Sequence, residues 1–97
     1  KIIENVYSTL RLKPKIRRIM WSRRAQEYEA KIFSGEPVKI AEVVRDLFRK
    51  NSQADQSYSE RQMFQVAIER LAREVAAVEK TDYFQSTEKI EQILNKK

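Results

Sequence analysis

The residues best suited to chemistry in this sequence are a tryptophan and the arginines around it. Trp21 is the only tryptophan of the 97 residues, and Arg17, Arg18, Arg23 and Arg24 flank it. Guanidinium groups bind phosphates, while an aromatic ring can stack on a base or wedge between two bases. These residue types so close together therefore predict a polyanion-binding surface, with nucleic acid as the expected partner.

The positive charge of the chain is confined to its first quarter. Up to Arg24 there are eight bases and one acid, a net charge of +7, whereas the remainder carries −1 and the whole chain +6. No acid interrupts the bases between Lys13 and Arg24, although a solvated helix face usually mixes both signs. We define residues 11–24 as the basic segment and expect it to bind nucleic acid. Acidic lipid would attract the same residues, and a basic tail without a partner is the alternative.

Two interpretations of Trp21 follow from the residues alone. Its spacing to Tyr28 and Ile32 is that of one helix face, which favours a core residue because lone tryptophans are usually well buried. Alternatively, Ser22 caps a helix that begins at Arg23, so that Trp21 precedes the helix and need not follow its buried face. The two interpretations predict opposite exposures for the indole ring.

The rest of the composition argues against an enzyme. The chain has no histidine and no cysteine, which removes the commonest general base and excludes disulfides and thiolate metal sites. The single glycine, Gly35, cannot form a phosphate-binding loop. Glu42 and Asp46 lie four residues apart, but such a pair with cations nearby is an ordinary feature of a helix. We therefore expect no catalytic residues, cofactor, metal or small-molecule substrate, and a packing role for Arg45 and Asp46 where helices meet.

Helices must position these residues, because two prolines and one glycine leave few breaks in the chain. Apolar residues at helical spacing predict an all-α fold, a compact bundle of about five helices in a single domain of residues 1–97. The predicted helices cover about residues 2–12, 15 or 22–33, 37–50, 57–80 and 82–97. Ser57 and Glu60 fit a capping box, and Asp82 fits an N-cap.

Each predicted helix has an apolar face for the core. The residues expected to face inward are Ile3, Val6, Tyr7, Leu10, Ala25, Tyr28, Ile32, Ile40, Val43, Val44, Leu47, Phe48, Phe64, Ala67, Ile68, Leu71, Val75, Val78, Tyr83, Ile90 and Leu94. No stretch approaches the roughly 18 apolar residues that a membrane-spanning helix needs, so no membrane partner is expected.

Four strings of residues resemble one known family. They are Met20-Trp21-Ser22-Arg23-Arg24, Ser34-Gly35, Ile40-Ala41-Glu42-Val43-Val44-Arg45-Asp46-Leu47 and Ser57-Tyr58-Ser59-Glu60-Arg61. Together they resemble the C-terminal domain of CarD-type bacterial transcription regulators. The resemblance covers about residues 15–78 and is looser at both ends.

The resemblance implies a cytoplasmic role in bacterial transcription. CarD proteins bind RNA polymerase through an N-terminal Tudor-like domain, which is missing here. The first residue, Lys1, accordingly indicates a piece of a longer protein. The helical C-terminal domain of the family contacts promoter DNA at the upstream edge of the transcription bubble and stabilises the open complex. Such a protein would act on open promoters generally, because RNA polymerase would bring it to them.

The resemblance also implies roles for individual residues. Trp21 matches the family tryptophan that wedges into the minor groove, and Arg23 and Arg61 match basic residues near the DNA backbone. Gln26 stands where some members have lysine, so no phosphate contact is carried over to it, and Lys50 aligns with a basic position. The other expected DNA contacts are Arg17, Arg18 and Arg24. The alternative function, from another class, is a helical protein-interaction module whose basic end binds an acidic partner.

Overall fold

The computed structural model describes residues 2–13, 20–48 and 58–96 of the chain. Within these ranges the chain forms five α-helices and no strand, which confirms the predicted all-α class. The helices are α1 (Ile2–Arg11), α2 (Trp21–Ile32), α3 (Pro37–Leu47), α4 (Tyr58–Glu79) and α5 (Tyr83–Asn95). The radius of gyration of the Cα atoms is 12.7 Å, close to the ~13 Å of a compact domain of this length.

Helix α3 is the centre of the bundle. It contacts α1, α2 and α4, and seven of its eleven residues are buried. Arg45 and Asp46 are among the seven, as expected where helices meet. Their side chains are only 4% and 6% exposed, and Arg45 Nε donates to Asp46 Oδ1 at 2.8 Å. The buried cation and anion thus pair with each other on the buried side of the helix, as buried charges must.

Short local signals end and begin the helices. Gly35 has a φ of 81° in the turn after α2, and Pro37 is in the first turn of α3, where its missing N–H costs nothing. Phe48 is extended and ends α3 about three residues earlier than the predicted end at residue 50. Asp82 caps α5 as predicted, since its Oδ1 accepts the Gln85 N–H at 2.8 Å. Ser57, the first residue of the predicted capping box, lies outside the described residues.

The apolar faces pack largely as predicted, with one correction in α4. Val78 was expected inside but is 53% exposed, whereas Ala72 and Ala76 are buried. At 100° per residue, Val78 lies roughly 110° from the centre of the face formed by Ala72, Val75 and Ala76. The inward face therefore rotates toward the alanines near the end of α4. Alanine carries so little apolar area that hydrophobic spacing did not reveal this rotation.

Candidate nucleic-acid interface

The candidate interface is at the first turn of α2, which begins two residues earlier than a Ser22 cap would require. Trp21 is the first residue of the helix and Met20 is the N-cap. The Met20 carbonyl accepts the N–H groups of Arg23 and Arg24, both at 3.1 Å. Ser22 is therefore inside the first turn, no side chain caps α2, and the expectation that Ser22 caps a helix starting at Arg23 is wrong.

Trp21 is half-buried, so neither interpretation of its exposure holds in full. Its ring packs against the core beside Tyr28, with ring centroids 6.2 Å apart and planes inclined by 51°. The expectation that the ring stands mostly in solvent is wrong. The reason is the earlier helix start, which places Trp21 seven residues before Tyr28 on the same face of a continuous helix. Trp21 as a residue keeps part of its surface exposed.

Arg24 lies beside these two rings. Its guanidinium carbon is 5.4 Å from the centre of the Trp21 ring and 5.8 Å from the centre of the Tyr28 ring. Its Nη2 is 3.8 Å from Oε2 of Glu60 on α4, and the two side chains are 15% and 14% exposed. Arg24 therefore faces the junction between α2 and α4, although the sequence predicted it as a DNA contact.

Arg23 and Arg61 are the exposed cations of the candidate interface. Arg23 is in the first turn of α2 and Arg61 is in the first turn of α4. Because the ion pair between Arg24 and Glu60 joins these two turns, Arg23 and Arg61 lie at the same end of the bundle. Arg17, Arg18 and Lys50 lie outside the described residues, and Gln26 is exposed.

Met20 is an exposed apolar residue that the sequence analysis did not single out as a site residue. It is 75% exposed and immediately precedes Trp21. Its position in the Met20-Trp21-Ser22-Arg23-Arg24 string could have marked it as a candidate site residue. Met20 and Trp21 are consecutive apolar residues and Arg23 follows in the same turn, a combination of residue types suited to a base step next to a phosphate.

Glu42 and Asp46, the two carboxylates four residues apart in the sequence, are each paired with a different cation. Glu42 accepts from Lys31 Nζ of α2 at 2.9 Å, and Asp46 accepts from Arg45 as described above. Lys39, a further cation of α3, lies 3.4 Å from Glu36. Among the described residues, no group of three or more acidic side chains is placed to hold a metal ion.

A groove between α2 and α4 is a second surface feature, and no pattern in the sequence predicted it. Its volume is about 330 Å³, and its apolar walls include Phe33, Met63 and Val66. Tyr58 also lines the groove, and both Tyr58 and Phe33 are exposed. The guanidinium carbon of Arg70 lies 4.7 Å from the centre of the Phe33 ring. The groove and the candidate interface are thus both formed by α2 and α4.

The geometry defines a class of protein: a small helical domain that presents arginines and one half-buried tryptophan at one end. No helix within the described ranges is long and apolar enough to cross a membrane. The sequence model for the C-terminal domain of CarD matches residues 5–94, and the chain belongs to this family. The resemblance found in the sequence is thus confirmed, and the role of the chain is a transcription-related one of the CarD type.

Proposed function

We propose that this domain binds promoter DNA near the upstream edge of the transcription bubble and stabilises the RNA polymerase open complex. The observation that carries the proposal is the half-buried Trp21 at the start of α2, with exposed Arg23 beside it and exposed Arg61 at the same end of the bundle. Family membership supports a role in transcription, and the basic segment supports a polyanionic partner.

The arginines supply affinity that does not depend on base sequence. Arg23 and Arg61, together with Arg17 and Arg18 of the basic segment, hold backbone phosphates. The positive end of the α2 macrodipole lies at Trp21 and adds to the attraction for a phosphate. Two exposed amide side chains, Gln26 and Gln62, lie near these arginines, and the proposal assigns neither of them a role in reading base edges.

Trp21 supplies the preference for opening DNA. The exposed part of its ring enters the minor groove and fills a base step whose stacking is already weakened, where unstacking costs least. The packed part of the ring rests on Tyr28 and the core, which support the wedge from behind. Closure of the melted DNA would then require the ring to leave the step.

Polymerase is reached through a domain outside this chain, and the domain itself acts by binding, with no catalytic step. The competing function is a protein-interaction module whose basic end binds an acidic partner. Binding to an acidic protein surface would depend on the arginines but would not require an aromatic wedge. Dependence on Trp21 therefore separates the two functions.

The test is the lifetime of open complexes formed by RNA polymerase with the full-length protein. Trp21→Ala should shorten the lifetime strongly, whereas Trp21→Phe should keep part of the effect because a smaller ring still wedges. Phe84→Ala is the matched control, since Phe84 is an exposed aromatic residue on α5. An unchanged lifetime with Trp21→Ala, at normal protein stability, would contradict the proposal.

A further inference from the structure

We propose that Arg24 is a positioning residue for Trp21 and that Glu60 holds Arg24 in place. This inference rests on the proposed function, because it assigns the two adjacent arginines different tasks at the same interface. Arg23 binds phosphate, whereas Arg24 fixes the direction of the ring that enters the DNA.

The geometry places Arg24 against two rings on one helix face. Trp21, Arg24 and Tyr28 are spaced by three and four residues, so their side chains adjoin along α2. The guanidinium lies within 6 Å of both ring centroids, the range of a cation–π contact. A planar guanidinium can lie along both rings, whereas the compact ammonium of lysine cannot reproduce this contact.

A contact with Glu60 of another helix restrains the position of the Arg24 side chain. The start of α2 has no side-chain cap, so its first turn lacks the usual restraint against fraying. Glu60 belongs to α4 and reaches Arg24 Nη2 at 3.8 Å. The carboxylate thus connects the first turn of α2, and with it the Trp21 ring, to the longest helix of the bundle.

Burial argues against a phosphate contact by Arg24. Its side chain is largely withdrawn from solvent, and its Nε is buried without a hydrogen-bond partner among the described residues. Reaching a phosphate would require the guanidinium to leave two rings and a carboxylate. Holding Trp21 in one orientation before binding lowers the side-chain entropy lost when the ring enters the DNA.

The first experiment needs no DNA, because Trp21 is the only tryptophan of the 97-residue chain. Tryptophan emission and acrylamide quenching are measured on wild type, Arg24→Ala, Arg24→Lys and Glu60→Gln. We expect a red-shifted emission and stronger quenching in all three variants, largest for Arg24→Ala. Arg23→Ala is the matched control and should leave both signals unchanged, because Arg23 is exposed.

Far-UV circular dichroism recorded on the same samples distinguishes release of the ring from loss of fold. If Arg24→Ala unfolds, Arg24→Lys and Glu60→Gln carry the test, because both retain side chains of similar length. Folded Arg24→Lys and Glu60→Gln variants with wild-type emission and quenching would overturn the proposal. A shift in those folded variants supports it.

The second experiment measures duplex and fork affinity across salt concentrations. Losing one phosphate contact lowers the magnitude of the log–log salt slope by about 0.9. We expect that loss for Arg23→Ala and an unchanged slope for Arg24→Ala. A slope reduced to the same degree by Arg24→Ala would make Arg24 a phosphate ligand and overturn its positioning role.

Open-complex lifetime in the full-length protein provides the coupling test. If Arg24 acts through the ring, adding Arg24→Ala to Trp21→Ala should cause no further loss of lifetime. Additive losses would contradict the inference. If wild type neither binds DNA nor extends the lifetime, the proposed function fails, while the fluorescence result still decides whether Arg24 and Glu60 position Trp21.

Discussion

Arg23 and Arg24 are adjacent in the sequence but differ in environment. Arg23 is exposed, whereas Arg24 lies against Trp21 and Tyr28 and is paired with Glu60. Successive helical residues point about 100° apart, which is enough to place one guanidinium in solvent and the next at a helix junction. A count of basic residues therefore overstates how many cations are available to a phosphate.

The stability of Trp21→Ala should reflect the half-buried state of the ring. Truncating a fully buried tryptophan costs about 3–5 kcal/mol, so we expect a loss of about 2 kcal/mol here. The domain should remain folded at 25 °C, while stabilisation of the open complex is lost. Thermal melting of the variant tests this, with Phe84→Ala as the exposed aromatic control. A loss below about 0.5 kcal/mol, the range of surface substitutions, would mean that the ring packs more loosely than described.

Arg61→Ala should weaken DNA binding nearly equally for all sequences. Arg61 is exposed in the first turn of α4, where a phosphate contact carries no base information. We expect the magnitude of the salt slope to fall by about 0.9. Titrations with two unrelated duplexes test this, and Arg73→Ala, an exposed arginine paired with Glu69, is the control. A selective loss for one duplex would instead indicate base recognition.

At the scale of elements, α1 is attached to the end of α4 by a polar contact. The Tyr7 hydroxyl donates to Glu79 Oε1 at 2.9 Å, although 72 residues separate them. Lys89 of α5 lies 3.5 Å from Glu79 Oε2 and 4.8 Å from the centre of the Tyr7 ring. Three helices thus meet at one carboxylate.

This contact gives the domain a pH dependence in the alkaline range. Burial, followed by the hydrogen bond and the negative charge of Glu79, raises the pKa of Tyr7 from 10.0 to about 12. The folded state therefore retains the proton that the unfolded state loses first. The resulting stabilisation is complete below pH 10 and is lost as the pH rises from 10 through 12.

Tyr7→Phe should remove that dependence. We expect a loss of about 1 kcal/mol at neutral pH, the value of one hydrogen bond. The difference in unfolding free energy between wild type and Tyr7→Phe should then shrink between pH 10 and 12. Chemical denaturation at several pH values tests this. A difference that stays constant across that interval would show that the hydroxyl proton is not held by Glu79.

Helix α4 provides a matched pair of substitutions for the core. Leu71 is fully buried, whereas Val78 on the same helix is 53% exposed. Leu71→Ala should lower the free energy of unfolding by about 2–5 kcal/mol, because it leaves a cavity in the hydrophobic core. Val78→Ala should change stability by about 0.5 kcal/mol or less. Similar melting temperatures for the two variants would contradict the assigned orientation of α4.

At the scale of the whole molecule, the charge asymmetry sets how the domain responds to salt. The segment up to Arg24 carries +7 and the remainder −1. If Arg17, Arg18, Arg23 and Arg61 each hold one phosphate, log affinity should fall with log salt at a slope of about −3.6. Fork DNA should bind better than closed duplex, because Trp21 fills a step that is already open.

A duplex and fork titration across salt tests both expectations. Trp21→Ala should lower fork affinity more than duplex affinity and leave the slope unchanged, because the ring contributes no charge. A slope near zero would remove the electrostatic basis for DNA binding. Equal losses for fork and duplex would instead favour a general packing role for the ring.

Features that depend on neighbouring residues could be predicted from the sequence. Helical spacing of apolar residues predicted five helices, and the Asp82 cap was recognised because an N-cap acts within three residues. Composition and charge show that the excess positive charge lies in residues 1–24. The four strings around Trp21, Gly35, residues 40–47 and residues 57–61 were sufficient to identify the family.

Contacts between side chains of different helices could not be predicted in this way. The half-burial of Trp21, the pairing of Arg24 with Glu60 and the hydrogen bond from Tyr7 to Glu79 each depend on how separate helices pack. Helical periodicity specifies a face of one helix but not the axial rotation or crossing angle of its partner. The start of α2 at Trp21, two residues before the Arg23 start that a Ser22 cap would require, was enough to pack the Trp21 ring against the core.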